Sequence, residues 1–345
     1  MTVLLTAPFT HISNNIASHR AAQGMIYADM VEESGKEVKV NKTGDIALDY
    51  NAYDEMYVYH GNDWGGTLNL FGGMKNYGSI DNLIAYSYFT GTVYSMGIKH
   101  PVYSEMLMKR IVDGVHQDWH NVNWDNLKRI EQTAITVNRF IDHPNVVAGD
   151  SHAICMYRRG WNCNSVPFKT LHGALNQGLE TFLYKQDLEN VEFYFGNIDI
   201  RHHLCRQDNP YRATEELVER YVEQLNRISV NVDSVGVYEP LLIENESRVL
   251  PKTGNYKGTP FFGSWKLRNE CRLIFIMTLK DLCKGKVRLI KWTDHMANAA
   301  GELDFQYMEK PKSVHLSRDS YPHWQGRKWN GLSEIKPSTI EDFFV

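Results

Sequence analysis

In the stretch Val146 to Ala153, "VVAGDSHA", three small apolar residues lead into a Gly, and a hydroxyl then stands between a carboxylate and an imidazole. This order suits a buried strand that ends on a sharp turn and presents Ser151 as a nucleophile beside Asp150. It suits a helix start equally well, because Asp and Ser are preferred caps and Gly permits the turn. Both readings stand on the sequence. In open parallel sheets ligands gather at the carboxyl ends of the strands. In the second half the residues following predicted strands are Asp150-Ser151-His152, Gly196-Asn197-Ile198-Asp199, Tyr238-Glu239-Pro240 and Trp292-Thr293-Asp294-His295, so several polar side chains could converge on one rim.

The elements that must position these groups alternate between strand and helix. In the first half "TVLLTAPF", "KEVKV", "DEMYVYHG" and "TGTVYSMGI" read as strands, while "SHRAAQGMIYADMVEESG" and "NWDNLKRIEQTAITVNRFI" have helical spacing. In the second half "NVVAGDS", "VEFYFGNIDI", "SVGVYEP" and "KVRLIKW" read as strands. Between them fall helices at "TLHGALNQGLETFLYKQ", "TEELVERYVEQLNRI" and "WKLRNECRLIFIMTLKDLCKG". Parallel strands need crossovers, which helices usually supply. The expectation is therefore an α/β protein with two Rossmann-like or flavodoxin-like domains, their parallel sheets facing a cleft, over 1–142 and 143–330, followed by a tail at 331–345. No internal sequence repeat or low-complexity tract is present.

The 345 residues carry a formal net charge of −4, which gives no global electrostatic case for nucleic acid and leaves only local candidates. Those are "YRRGWN" and "HWQGRKWNG", where Arg and Lys sit among Trp and Tyr. No apolar run reaches the roughly eighteen residues a membrane span needs, and the first residues read as a strand rather than a leader, so no membrane partner and a cytoplasmic setting are expected. Five scattered cysteines without a C-x-x-C pair argue against a disulfide framework or a structural zinc site. "RHHLC", Arg201 to Cys205, concentrates two imidazoles and a thiol, but no further ligands are evident and no metal is assigned.

Three blocks in the second half resemble the SGNH (GDSL-like) hydrolase family: Gly149-Asp150-Ser151, Gly196-Asn197-Ile198-Asp199 and Val314-His315-Leu316-Ser317, with Gly173 in "TLHGAL" as a weaker match. The likeness runs from about Asn145 to Trp324. It implies Ser151 as nucleophile, His315 as its base, and an oxyanion hole from the Ser151 and Gly173 amides with the Asn197 side chain. One departure stands out, since the family places an Asp three residues before the histidine and Lys312 occupies that position here. Asp319 and Asp294 are candidate substitutes.

In the first half "SHRAAQGMIYADMVEESGKEVKV" and "YDEMYVYHGNDWGGTLNLFGG" resemble the amino-terminal domain of GT-B glycosyltransferases, in particular the DNA glucosyltransferases of T-even phages, through Tyr53-Asp54 and Phe71-Gly72-Gly73. The tail "STIEDFFV" resembles the peptide by which phage polymerases bind the sliding clamp, with Ile340, Phe343 and Phe344 as anchors; it could equally pack on its own body.

Together these resemblances imply a transferase in a phage-infected cytoplasm that moves a pentose or hexose from a nucleotide-sugar to 5-hydroxymethylcytosine in DNA. The base would come from Asp63, His60 or Asp150, and the leaving diphosphate would meet Arg158, Arg159, Arg201 or Arg268, with Asp199 also at the site. A divalent cation could assist, though no carboxylate cluster demands one. The alternative is an SGNH esterase or acyltransferase acting on carbohydrate or a modified nucleotide through Ser151, Asn197 and His315. A third reading, a noncatalytic module recruited to the clamp, would take Lys312 as a sign of lost activity.

Overall fold

The computed structural model describes residues 2–6, 19–41, 50–59, 84, 87–96, 120–137, 142–166, 168–184, 187–245, 263–309 and 314–323. The chain divides into two compact units, the first running through Ile141 and the second spanning Asp142–Gln325. Each holds a five-stranded, all-parallel sheet, so the protein is α/β.

In the first unit the strands are β1 (Thr2–Thr6), β2 (Glu37–Asn41), β3 (Glu55–Tyr59), β4 (Thr92–Met96) and β5 (Ile135–Val137), ordered β2-β1-β3-β4-β5. Helix α1 (His19–Glu33) connects β1 to β2 and buries Met25 through Val31 almost continuously. It ends where Gly35 adopts φ +85 and donates to Glu32 O, the left-handed stop that glycine accepts without a Cβ penalty. Helix α2 (Trp124–Thr133) is capped by the Asn123 side chain. The single long helix read from "NWDNLKRIEQTAITVNRFI" is corrected here: it stops at Thr133, Ala134 turns extended with ψ 131, and Ile135-Thr136-Val137 pair with β4. β-Branched residues fit a pleated strand better than a helix.

The second unit's strands are β6 (Asn145–Gly149), β7 (Asn162–Ser165), β8 (Asn190–Tyr194), β9 (Ser234–Tyr238) and β10 (Val287–Ile290), ordered β10-β9-β8-β6-β7. Counted from its own first strand this is again the order 2-1-3-4-5, that of flavodoxin-like folds. The two units thus share a topology that leaves no trace as sequence similarity. In each the order reverses between the first and third strands, and in the second unit that switch point lies between β6 and β8.

Helices α3 (Leu171–Gln177), α4 (Pro210–Ser229) and α5 (Trp265–Leu282) contribute to the main core. Val146, Ala148, Val191, Phe193, Val235 and Val237 alternate along their strands and meet Leu217, Val218, Tyr221, Leu225, Phe275 and Leu279. Helix α4 has the apolar stripe predicted for it, with Pro at its first turn and Asn209 as cap. The helix read from "TLHGALNQGLETFLYKQ" is shorter than expected, because Gly178 at φ +92 breaks it after Gln177. Strand β7, Asn-Cys-Asn-Ser, was not anticipated; its polar composition hides a strand that is buried throughout.

At the end of β6 a Cβ on Gly149 would lie 2.1 Å from the Tyr194 carbonyl oxygen. Gly149→Ala must push β6 and β8 apart and should destabilise the second unit by about 1–3 kcal/mol, the usual range for overpacking. The urea midpoint followed by tryptophan fluorescence measures it.

Candidate active site

Residue Asp150 follows β6 with ψ −168 and caps the short 3₁₀ segment Ser151–Met156, accepting from His152 N. The capping geometry of the second sequence reading is therefore present. The Ser151 Oγ lies 3.0 Å from His315 Nε2. Ser165 at the end of β7 donates to the carbonyls of Asp150 and Ser151 and fixes the loop from the far side.

Residue His315 reaches the serine from a small antiparallel pairing in which Met308 and Leu316 form a bridge. Glu309 N donates to His315 O at 3.1 Å and Ser317 N donates to Tyr307 O at 2.8 Å, so Glu309 stands opposite His315. Its Oε1 lies 3.7 Å from His315 Nδ1. Burial lowers the His315 pKa from the ordinary 6.5, the Glu309 carboxylate opposes this, and the neighbouring His152 adds to the lowering. Lys312 lies outside the described residues. Neither substitute proposed from sequence takes the orienting place: Asp319 pairs with Arg318, and Asp294 opens the turn Asp294–Met296. Glu309 was missed because no family spacing points to it. The available signal was the proline-containing stretch "EKPKS" between Met308 and Leu316, which marks a turn able to return the chain beside itself.

After β8, Gly196 adopts φ +102 with its α-carbon against the Phe275 ring; a Cβ there would meet Cζ at 2.9 Å. Asn197 follows. Its Oδ1 accepts from Leu241 N at 2.9 Å, which fixes the amide so that Nδ2 faces the Asp150 carboxylate at 3.4 Å. Asp199 is buried and accepts from Leu171 N and His172 N at the start of α3; burial raises its pKa and these two bonds oppose the rise. Gly173 N donates to the Thr170 Oγ1 cap at 2.9 Å.

The structure therefore brings together Asp150, Ser151, Asn197, His315 and the unanticipated Glu309. It does not gather the cations assigned to a diphosphate. Arg201 is buried and bonded to both Glu244 oxygens and to the carbonyls of Asn197 and Leu242. Arg268 is buried with Nη1 on Gly263 O. Arg158 makes a two-pronged contact with Glu192 and stacks 3.5 Å from the Trp161 ring centroid. The expectation is corrected for Arg201 and Arg268, whose burial and internal bonds make them structural cations. Arg159 is exposed, and it too has interactions within the chain. His60, Asp63 and the tail residues Ile340, Phe343 and Phe344 lie outside the described residues. Among the described residues no three His, Cys, Asp or Glu side chains form a metal-binding group, and no helix is long and apolar enough to cross a membrane.

No protein-family model and no curated protein matches the chain. Two solved structures are similar over about half of it. One, from Streptococcus pneumonia and provisionally described as a platelet activating factor, is 16% identical with TM-score 0.39 over 52% of this chain and 79% of that one. The other, the carbohydrate acetylesterase Est24 from Sinorhizobium meliloti, is 14% identical with TM-score 0.33 over 51% and 91%. A ketoreductase domain from the bacillaene assembly line covers 92% of this chain and 87% of its own at 11% identity and TM-score 0.23.

The Arg201–Glu244 pair joins the loops after β8 and β9 with side chains 2% and 0% exposed. Arg201→Met strands the Glu244 carboxylate without its partner and should cost about 3–5 kcal/mol. Pairing it with Glu244→Leu should recover much of the loss, as chemical denaturation of the single and double variants would show.

Proposed function

We propose that the second unit is a serine-dependent esterase or acyltransferase, of the SGNH type its motifs resemble, acting on acyl groups carried by a carbohydrate or modified nucleotide. The observation that carries this reading is the run Ser151 Oγ, His315 Nε2, His315 Nδ1, Glu309 Oε1, with separations of 3.0 and 3.7 Å. A nucleophile, a base and a carboxylate to orient the base are what acyl transfer requires.

In this mechanism neutral His315 takes the Ser151 proton as Oγ attacks the ester carbonyl carbon. The C–O double bond opens and leaves an oxyanion. The SGNH resemblance assigns the Ser151 N–H and the Asn197 Nδ2 group to that oxyanion; one Asn197 Nδ2 hydrogen faces Asp150, which leaves the second for it. Collapse of the tetrahedral adduct breaks the bond to the leaving alkoxide, which takes the proton from His315. Water, or an acceptor hydroxyl in a transferase, then gives its proton to His315 and attacks the acyl-serine carbonyl carbon; the bond from that carbon to Oγ breaks, Oγ takes the proton back from His315, and the acid or new ester leaves.

Sugar transfer to DNA, with a nucleotide-sugar donor and the clamp as partner, has less support. Its first-half base candidates lie outside the described residues, and two of its phosphate ligands are the internally bonded Arg201 and Arg268.

The test is hydrolysis of a small aryl acetate and of acetylated sugars by the full chain. Ser151→Ala should lower kcat by at least about 10³-fold, the scale seen when a triad member is removed. The reading fails if activity survives Ser151→Ala, or if the protein instead adds a sugar mass to hydroxymethylcytosine-containing DNA and does so without Ser151.

The pH dependence gives a second check. His315 acts as base only when neutral, and burial lowers its pKa, so the acid limb of kcat/KM should fall below pH 6.5. Glu309→Gln removes the carboxylate that opposes this lowering. Its acid limb should therefore move to still lower pH while kcat drops about 10²-fold through loss of orientation. A limb that moves upward would contradict the assignment of Glu309.

A further inference from the structure

The mechanism above uses one histidine of the site and leaves another, His152, unexplained. This side chain is 3% exposed and packs edge-on to the Tyr194 ring at 6.1 Å. Its Nδ1 faces Asp150 Oδ1 at 3.0 Å, and its Nε2 lies 2.7 Å from the carbonyl oxygen of Val314. A carbonyl only accepts, so Nε2 carries a proton and donates it, and the contact between Nδ1 and Oδ1 is a hydrogen bond through a further proton shared by those two atoms. Val314 immediately precedes the base.

We infer that His152 is a positioning residue for His315, linking the Asp150 carboxylate to the backbone of the segment that carries the base; this deepens the acyl-transfer reading and rests on it. The argument is geometric. Each peptide group flanking His315 is held from one side: the Val314 carbonyl by His152 Nε2, and the His315 carbonyl by Glu309 N. Fixing both planes fixes the direction in which the His315 side chain leaves the backbone, and with it the 3.0 Å approach of Nε2 to Ser151 Oγ. Asp150 immediately precedes the nucleophile, and its carboxylate also accepts from His152 N and Asn197 Nδ2. A single buried carboxylate thus sets the serine loop directly and the histidine segment through one imidazole. Displacements of an ångström at such a contact cost up to about a hundredfold in rate, which gives the link a measurable consequence.

Two substitutions divide the role of His152. In His152→Asn the side-chain amide occupies the place of Nδ1, keeping the Asp150 contact and losing Val314. In His152→Gln the amide nitrogen has the reach of Nε2, keeping Val314 and losing Asp150. Two readouts are taken on the full chain: kcat and KM on an aryl acetate, and the imidazole nitrogen NMR signals of His315, assigned with His315→Gln. For the Asn variant we expect kcat to fall about tenfold to a hundredfold with KM within about twofold. Its His315 nitrogens should leave the wild-type tautomer signature for averaged values. For the Gln variant, which keeps the Val314 bond but loses the Asp150 anchor, we expect a smaller fall in kcat and a His315 signature nearer the wild type.

A wild-type His315 spectrum in the Asn variant overturns the inference. So does an equal loss in both variants that follows a common drop in melting temperature, or failure of both to fold, since His152 would then serve stability alone. If the wild-type protein shows no Ser151-dependent hydrolysis, the proposed function fails by itself. The NMR comparison still decides whether His152 orders His315.

Discussion

A carboxylate with no exposure to water, that of Asp150, constrains most of what surrounds it. It accepts from His152 N at 2.8 Å and Asn197 Nδ2 at 3.4 Å, and its Oδ1 lies 3.0 Å from His152 Nδ1. Burying such a group without donors would cost several kcal/mol, so the chain reaches its folded state only when the segments supplying those donors are in place. These are the loop after β6 and the loop after β8, with the Val314–His315 segment attached through the second nitrogen of His152. Satisfying the buried charge and assembling Ser151, Asn197 and His315 are therefore one event. The site is a by-product of a polar accounting problem at the switch point of a parallel sheet.

The same solution recurs along the rim. Glu239, after β9, accepts from Trp292 N, Thr293 N and Thr293 Oγ1 after β10. Arg272 of α5 then bonds the Pro240 and Leu241 carbonyls, and burial lowers its pKa despite Glu239 nearby. Leu241 in turn holds Asn197 by its oxygen. Parallel strands end with backbone groups that no neighbouring strand can pair, and here buried charges complete them. The bonds run from the residues after β10 through those after β9 to Asn197 after β8, whose amide is held by Leu241 N.

Much of this was legible in the sequence, for identifiable reasons. Alternating apolar strands and amphipathic helices announced the α/β class, and the rule that parallel sheets bind ligands at strand ends singled out Ser151 and Asn197 before any geometry was known. Strand β7 was not legible, since Asn-Cys-Asn-Ser has poor strand propensity and is held by tertiary bonds such as Asn164 Nδ2 to Phe182 O. Strand β5 was absorbed into a helix because Ile135 and Val137 continue a plausible helical spacing. Arg201 looked like a phosphate ligand because sequence cannot reveal Glu244, whose partnership spans 43 positions. The common strand order of the two units was equally invisible, since a topology constrains connections and not residue identities.

The carboxylate behind His315 illustrates how far spacing can mislead. A family pattern that looks three residues upstream finds Lys312 and suggests a defect. The fold offers a different neighbour, because an antiparallel bridge at Met308 and Leu316 sets the preceding residue on one side against the following residue on the other. Directly opposed residues in such a pair carry Cβ atoms about 4.5–5.5 Å apart, within reach for a Glu facing an imidazole. The pairing sets Glu309 beside His315, where Glu309 Oε1 lies 3.7 Å from Nδ1 and Nε2 lies 3.0 Å from the serine hydroxyl. Where a carboxylate sits beside an imidazole can be specified by a cross-strand pair as well as by a turn.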